Sequence, residues 1–424
     1  MGELRSKTSI IGVGMTRFGS VLDTPEIKGK TAPELIADAV FEALEDAGLE
    51  PKDIDAFYIG HYLPNTTHLH SPFQVADWIG QQFKPGMHFA AGCATTNVGA
   101  GLAAMSIASG VYETVLVVGF EILTGEVTIN PAVMKPLDSA KLIEWIEWGT
   151  EHVYTYQHFY DASANYEAIP IIGYAKKYGV SVNDIEDALC GIAVCSRRNA
   201  HRNPKAYMQD ELEEVAKKRG FKDVVEWWRS KYNPYVTYPL RAYNIPPAAD
   251  GAAAFIVTTA KNAKKCHEKP IDIIGFGWSC DPAPFYYEDP SEWPLTTHAF
   301  RDAYKIAKIE PKDIDYLAIG DCSNSEYFIA PEAAGYFEKG EAWKYYRDNK
   351  IAFDGDKPIN TNGGHLSMGN PASASPAADL YEAVKQMRGE ADQRQIKPEP
   401  RTVVWHSSGI GSITPVTVLK RNWG

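Results

Sequence analysis

Two stretches of the chain carry the same alternation of apolar and polar positions. The segment FEALEDAGLEPKDIDAFYIG (41–60) spaces apolar residues as on one face of a helix, breaks at a proline turn and ends in an apolar run. RDAYKIAKIEPKDIDYLAIG (301–320) does the same, and the six letters at 50–55 return at 310–315. Upstream, SIIGVG (9–14) and DIIGFG (272–277) repeat at nearly the same offset. A repeat this long is a duplicated domain, not a short-period solenoid.

Each half continues alike. FAAGCATTNVGAGLAAMSIASG (89–110) predicts a strand end running into a helix of small residues, and TVLVVG (114–119) the next strand. The counterpart is NTNGGHLSMGNPASASPAADLYEAVKQMRG (360–389), followed by TVVWHSSGIGSITPVTVL (402–419). Strands alternating with helices predict an α/β fold with helices on both sheet faces. The expected organisation is an N-terminal half (1–120), an inserted covering segment (121–247), a last strand of the first half (248–265) and a C-terminal half (266–424). The insertion is rich in Trp, Tyr and His, and predicts a lid, a binding surface or an oligomer contact.

Composition narrows the classes. A net charge of −12 argues against a nucleic-acid binder. The six cysteines at 93, 190, 195, 266, 280 and 322 are too scattered for a disulfide framework, and no Cys-x-x-Cys pair suggests a metal in this chain. No signal-like or membrane-length apolar run occurs, so the expectation is a cytoplasmic protein.

Cys93 stands at a strand-to-helix junction, where the helix dipole and unpaired N–H groups favour a thiolate. The local sequence equally admits a buried, inert thiol. If the halves face each other, His365, Asn370 and the Gly363–Gly364 turn lie near Cys93. Cys322, at the carboxyl end of the repeated strand, could then shuttle a proton; an inert core thiol is the alternative. The turn around Ser408 and Gly409 could offer oxyanion amides, with His406 beside it as either a catalytic or a structural residue. Arg197, Arg198, His201, Arg202 and Lys205 form a local basic cluster suited to phosphates, or a solvated helix face.

Together with PLRAYNIPPAADGAAAFIV (239–257), NTNGGHLSMGNP (360–371) and HSSGIGS (406–412), these features resemble thiolases along nearly the whole chain, above all the sterol-carrier-protein type. The resemblance implies a duplicated, five-layered αβαβα thiolase fold, coenzyme A as substrate and at least a homodimer. It puts Cys93 on the acyl-accepting cysteine and Cys322 on the acid–base cysteine of a His-Asp-Cys-Phe motif. It puts His406, Ser408 and Gly409 on the loop lining an oxyanion site, to which the amide at Cys93 also belongs. Two positions depart from the pattern: the Gly-His-Pro histidine is Asn370, and the histidine before Asp-Cys is Gly320. His365 is the candidate to compensate. Such departures resemble the branch that works with a small zinc-finger/OB-fold partner subunit, the zinc residing in the partner. Within it, the likeness to a thiolase subunit of anaerobic toluene degradation implies thiolysis of 2-benzoylsuccinyl-CoA to benzoyl-CoA and succinyl-CoA. A retro-aldol lyase acting on a β-hydroxyacyl-CoA, and a non-catalytic CoA-binding scaffold, stand as alternatives.

Overall fold

A computed structural model describes residues 8–62, 71–125, 162–281, 289–409 and 412–423. The aromatic residues of the insertion singled out by composition (Trp145, Trp148, Tyr154, Tyr156, Phe159 and Tyr160) lie outside the described residues.

The strands are β1 (Thr8–Met15), β2 (Ala56–Gly60), β3 (Gly86–Phe89), β4 (Thr114–Glu121), β5 (Tyr235–Thr237), β6 (Leu240–Arg241), β7 (Gly251–Thr259), β8 (Ile271–Cys280), β9 (Tyr316–Ala318), β10 (Thr402–His406) and β11 (Ile413–Arg421). Among the described residues nine of them join in the order β3-β2-β4-β7-β1-β8-β11-β10-β9, while β5 and β6 form a separate hairpin. The order is its own mirror image. From the centre outwards, β1, β7, β4 and β2 are matched by β8, β11, β10 and β9. The place of β3 is taken by one parallel bridge from Leu317 to Ile359. The halves meet where Thr8–Ile10 pairs antiparallel with Ile271–Ile273.

The helices that matter here are α1 (Ala32–Ala47), α2 (Thr95–Ala108), α3 (Ala162–Tyr178), α4 (Val182–His201), α5 (Pro294–Ala307), α6 (Ser325–Ala333), α7 (Gly364–Met368) and α8 (Ser375–Arg388). α1 covers one face of the first half-sheet through Leu35, Ile36, Ala39, Val40 and Ala43. α5 covers the second half-sheet through Ala299, Phe300 and Ala303. Between the half-sheets lie α2 and α8, whose Ala100, Ala103, Ala104, Ala377, Ala378 and Leu380 share one core with strand residues of both halves. Hence the five layers. The small residues of α2 make the sandwich possible: a Cβ on Gly99 would stand 2.6 Å from the ring of Phe89, and one on Gly101 2.3 Å from the ring of Phe276.

The repeated Gly-x-Gly of the first and last halves has the same cause. A Cβ on Gly12 would meet the Ala43 carbonyl at 2.2 Å, and one on Gly277 the Ala299 carbonyl at 2.0 Å. The glycines let each outer helix rest on the strand backbone. Gly277→Val should therefore destabilise the protein by about 2 kcal/mol or more through overpacking. Thermal denaturation checks this, and a wild-type midpoint would show that α5 does not press on β8 as described.

Candidate active site

Cys93 is partly exposed, in the turn that leads into α2. The turn is tightly closed: Ala94 and Thr95 amides donate to the Ala91 and Gly92 carbonyls, and Thr95 Oγ1 donates to Gly92. Gly92 takes φ 59°, the left-handed region in which a Cβ is strained. Asn97, fully buried, ties the start of α2 to the other half. Its Nδ2 donates to the Trp405 carbonyl and the Ser407 hydroxyl, each at 3.1 Å, and its Oδ1 accepts from Thr417 Oγ1 at 2.7 Å.

From the second half come Cys322, His365 and Asn370. Cys322 hydrogen-bonds the Cys93 sulfur and lies 3.7 Å from the Ser408 carbonyl oxygen. The Asn370 side-chain oxygen accepts from Ser375 Oγ at 2.9 Å, which leaves its amide N–H to donate to Cys93. His365 is 0% exposed. Its Nε2 lies 2.9 Å from Asp379 Oδ2, and its backbone amide donates to Asp321 Oδ1 at 2.8 Å.

The two sulfurs are driven in opposite directions. The hydrogen bond from Cys322 lowers the Cys93 pKa first, against burial. The His365 charge and the Asn370 amide lower it further, against the nearby Glu121. That same pairing, with burial and the charges of Glu326 and Glu167, holds Cys322 well above the ordinary thiol range. Burial alone would discharge His365, but Asp379, and then Asp321 and Cys93, raise it to about 9. Of the two sulfurs Cys93 is therefore the one that ionises first, beside a Cys322 held as the thiol and a His365 imidazolium at neutral pH.

Other residues named from sequence fall elsewhere. His406 lies on the α5 side of β10, stacked on Phe300 with ring centroids 5.4 Å apart and Nε2 3.9 Å from Glu326 Oε2. Burial pushes it down to about 3, so it is a neutral core histidine and is not brought to the thiols. The Gly409 amide donates to the Ile413 carbonyl at 2.8 Å, which commits the donor expected for an oxyanion. Ser408 supplies its carbonyl to Cys322 instead. At Gly320 a Cβ would stand 3.0–3.1 Å from the Ser407–Ser408 backbone, so the departure from histidine there is matched by close packing.

The basic cluster divides. Arg198 pairs with Glu213 at 3.0 Å, Arg202 with Glu211 at 3.2 Å and Lys205 with Glu42 at 2.6 Å. His201 is exposed, its Nδ1 2.9 Å from the Gln209 carbonyl. Arg197 alone faces a cavity. Among the described residues no group of three or more His, Cys, Asp or Glu could hold a metal ion, and no helix is long and apolar enough to cross a membrane.

The sequence reading missed the acidic shell. Asp379, 1% exposed, anchors His365. Asp321 receives the His365 amide and the Tyr327 hydroxyl, the latter at 2.9 Å. Glu121 accepts from the Tyr62 amide and Ser373 Oγ, both at 2.7 Å, and its other oxygen lies 2.9 Å from His61 Nδ1. Burial raises Glu326 to about 8. The available signal was a carboxylate at a core-facing position of an otherwise small-residue helix, as in α8, where Ala377, Ala378 and Leu380 surround Asp379.

Two paired thiols thus stand at a helix start between duplicated halves. The thiolase N-terminal domain matches residues 8–261 and the thiolase C-terminal domain-like family residues 288–421. The chain belongs to the thiolase family and is an acyltransferase. It is 28% identical to an acetyl-CoA acetyltransferase of Methanothermobacter thermautotrophicus, over 97% of this chain and 99% of that protein. It is 24% identical to the benzoylsuccinyl-CoA thiolase subunit BbsB of Thauera aromatica, over 96% of each. Among solved structures, the Ltp2-ChsH2(DUF35) aldolase superposes with a TM-score of 0.76 at 21% identity, covering 99% of each chain.

His365→Gln should move the midpoint for alkylation of Cys93 by iodoacetamide to higher pH. At pH 7 the rate should fall about tenfold, because the thiolate loses its counter-charge. The raised His365 pKa also stabilises the fold, fully below about 6.5 and decreasingly as pH rises through about 9. The variant should lack that alkaline loss of stability. An unshifted alkylation profile would remove His365 from the activation of Cys93.

Proposed function

We propose that this protein cleaves a β-ketoacyl-CoA with CoA through an acyl group carried on Cys93, and that its substrate is 2-benzoylsuccinyl-CoA. The supporting observation is the pair of touching thiols driven apart in acidity, one to serve as nucleophile and the other as acid. The Cys93 thiolate attacks the 3-keto carbon, and the bond between the α-carbon and that carbon breaks. The electron pair stays on the α-carbon, which takes the Cys322 proton and leaves as succinyl-CoA. The thiol of CoA then gives its proton to Cys322 and attacks the thioester. Benzoyl-CoA departs and the Cys93 thiolate returns. His365 holds the charge at Cys93 in place, and Asn370 supplies an N–H to the sulfur in the thiolate state and to the developing oxyanion in the transition state.

The likeness to BbsB supports the substrate, and the fold shared with a DUF35-associated aldolase supports a small zinc-finger/OB-fold partner subunit. Coenzyme A enters as substrate, with the exposed His201 available to its phosphates.

Asn370 in place of histidine favours one second reading, a retro-aldol lyase on the same fold that forms no acyl-enzyme. Enzyme quenched during turnover of 2-benzoylsuccinyl-CoA and analysed by mass spectrometry should carry a benzoyl adduct on Cys93. Cys93→Ala should carry none and should lose activity by about 10⁴-fold or more. Turnover persisting in Cys93→Ala would eliminate the acyl-enzyme scheme in favour of the lyase.

A further inference from the structure

Four arginines are buried among the described residues: Arg197, Arg241, Arg388 and Arg394. Three have carboxylate partners. Arg241 pairs with Glu186 at 3.2 Å, Arg388 with Asp46 at 2.8 Å and Arg394 with Glu382 at 2.9 Å. Arg197, 9% exposed, has no carboxylate within ion-pair distance among the described residues. Its Nη1 donates to the Asp210 carbonyl at 3.3 Å, and its guanidinium lies 5.4 Å from the Tyr243 ring centroid. The charge of Asp210 bears on it from the cavity wall without forming an ion pair, so this buried cation is less fully compensated than the other three.

The guanidinium lines a cavity of about 450 Å³. Met208, Ile245, Pro247 and Leu366 give that cavity an apolar wall. Its other guanidinium, Arg17, is paired with Glu26, and Asp210 stands at an exposed position on the rim. Two of its lining residues are neighbours of thiol-site residues. Leu366 follows His365 in the chain, and the Pro247 carbonyl accepts the Asn370 amide at 3.1 Å.

We propose that Arg197 binds a single carboxylate carried on the acyl part of the substrate, which makes the enzyme selective for carboxylated β-ketoacyl-CoA thioesters. One buried cation beside an apolar wall, in a cavity also lined by Tyr207, Gln209 and Tyr243, fits a hydrocarbon or aromatic body bearing one anionic end, held by the planar fork of a guanidinium. It does not fit the multiply charged phosphates of CoA, which call for several free cations at a wet rim. The neighbours that could have supplied those, Arg198, Arg202 and Lys205, are already paired with glutamates.

The inference rests on the thiolase reading, so its test has one arm with turnover and one without. 2-Benzoylsuccinyl-CoA and 2-benzoylbutanoyl-CoA differ by a carboxylate replaced with a methyl group. The wild-type protein should prefer the former by about 100-fold in kcat/KM, mainly through KM, and in Arg197→Gln the preference should collapse to within about threefold. Equal losses on both thioesters, preserving the preference, would mark Arg197 as structural and overturn the proposal. So would a loss of affinity for CoA alone in Arg197→Gln, which would make the cavity a phosphate site. In Cys93→Ala protein, calorimetric binding of the two thioesters reads the subsite without chemistry. A carboxylate preference there that Arg197→Gln removes supports the subsite even if thiolysis itself fails; equal affinities reject it.

Discussion

The contact between two sulfurs from opposite halves of the chain is the constraint around which this molecule is built. Cys93 and Cys322 are the same functional group, yet each alters the other's acidity through one hydrogen bond. Two ionised thiols in contact would repel, so only one carries charge, and its surroundings decide which. The His365 imidazolium and the Asn370 amide lie on the Cys93 side. Glu326 and Glu167 bear on Cys322. On the proposed reading, this asymmetry of charge is what turns a symmetric pair into nucleophile and acid.

Bringing the sulfurs together requires the five layers. Cys93 precedes α2 and Asn370 precedes α8, and these central helices approach because glycine and alanine line them. Thr96 Oγ1 donates to the Ser373 carbonyl at 2.9 Å, and a Cβ on Gly119 would stand 2.3 Å from that same carbonyl. The loop before α8 is thus pressed directly onto the first half. Asn97 adds the third tie, to the end of β10 and to β11. The site is held by backbone contacts between rigid elements, where a displacement of about 1 Å would separate the reacting groups.

Much of this was legible in the sequence, for a physical reason. The repeat at 50–55 and 310–315 marks a duplicated turn, and the paired Gly-x-Gly segments mark strands on which a helix rests. Both are local patterns, and the mirror-image sheet follows from them. Cys93 was legible through the helix start that follows it, and His365 through its position in the matching half. Asp379 was legible only as a core-facing carboxylate among Ala377, Ala378 and Leu380; nothing in the local sequence of α8 says that its partner is a histidine 14 residues away. The basic cluster misled for the complementary reason. Spacing over the end of α4 and the turn after it gathers five basic groups, but Glu42, Glu211 and Glu213 arrive from other parts of the chain and neutralise three of them. His406 failed similarly: its strand position alternates with Trp405, so its ring points to the outer layer.

The replacement of a catalytic-looking histidine by Asn370 becomes intelligible once charge and proton transfer are treated as separate jobs. A histidine beside the nucleophile would serve both. Here the charge comes from His365, kept protonated by Asp379 at the cost of its use as a base, since a group titrating near 9 does not release its proton at neutral pH. The hydrogen bond comes from Asn370, which cannot titrate at all. Proton transfer is left to the sulfurs, and Cys322 is the one whose neighbours keep it protonated. The packing at Gly320 is consistent with this: a Cβ there would stand 3.0–3.1 Å from the Ser407–Ser408 backbone, which would have to give by a few tenths of an ångström. With neither histidine present, the group beside Cys93 that can both hold and give up a proton is, on the proposed reading, the Cys322 thiol.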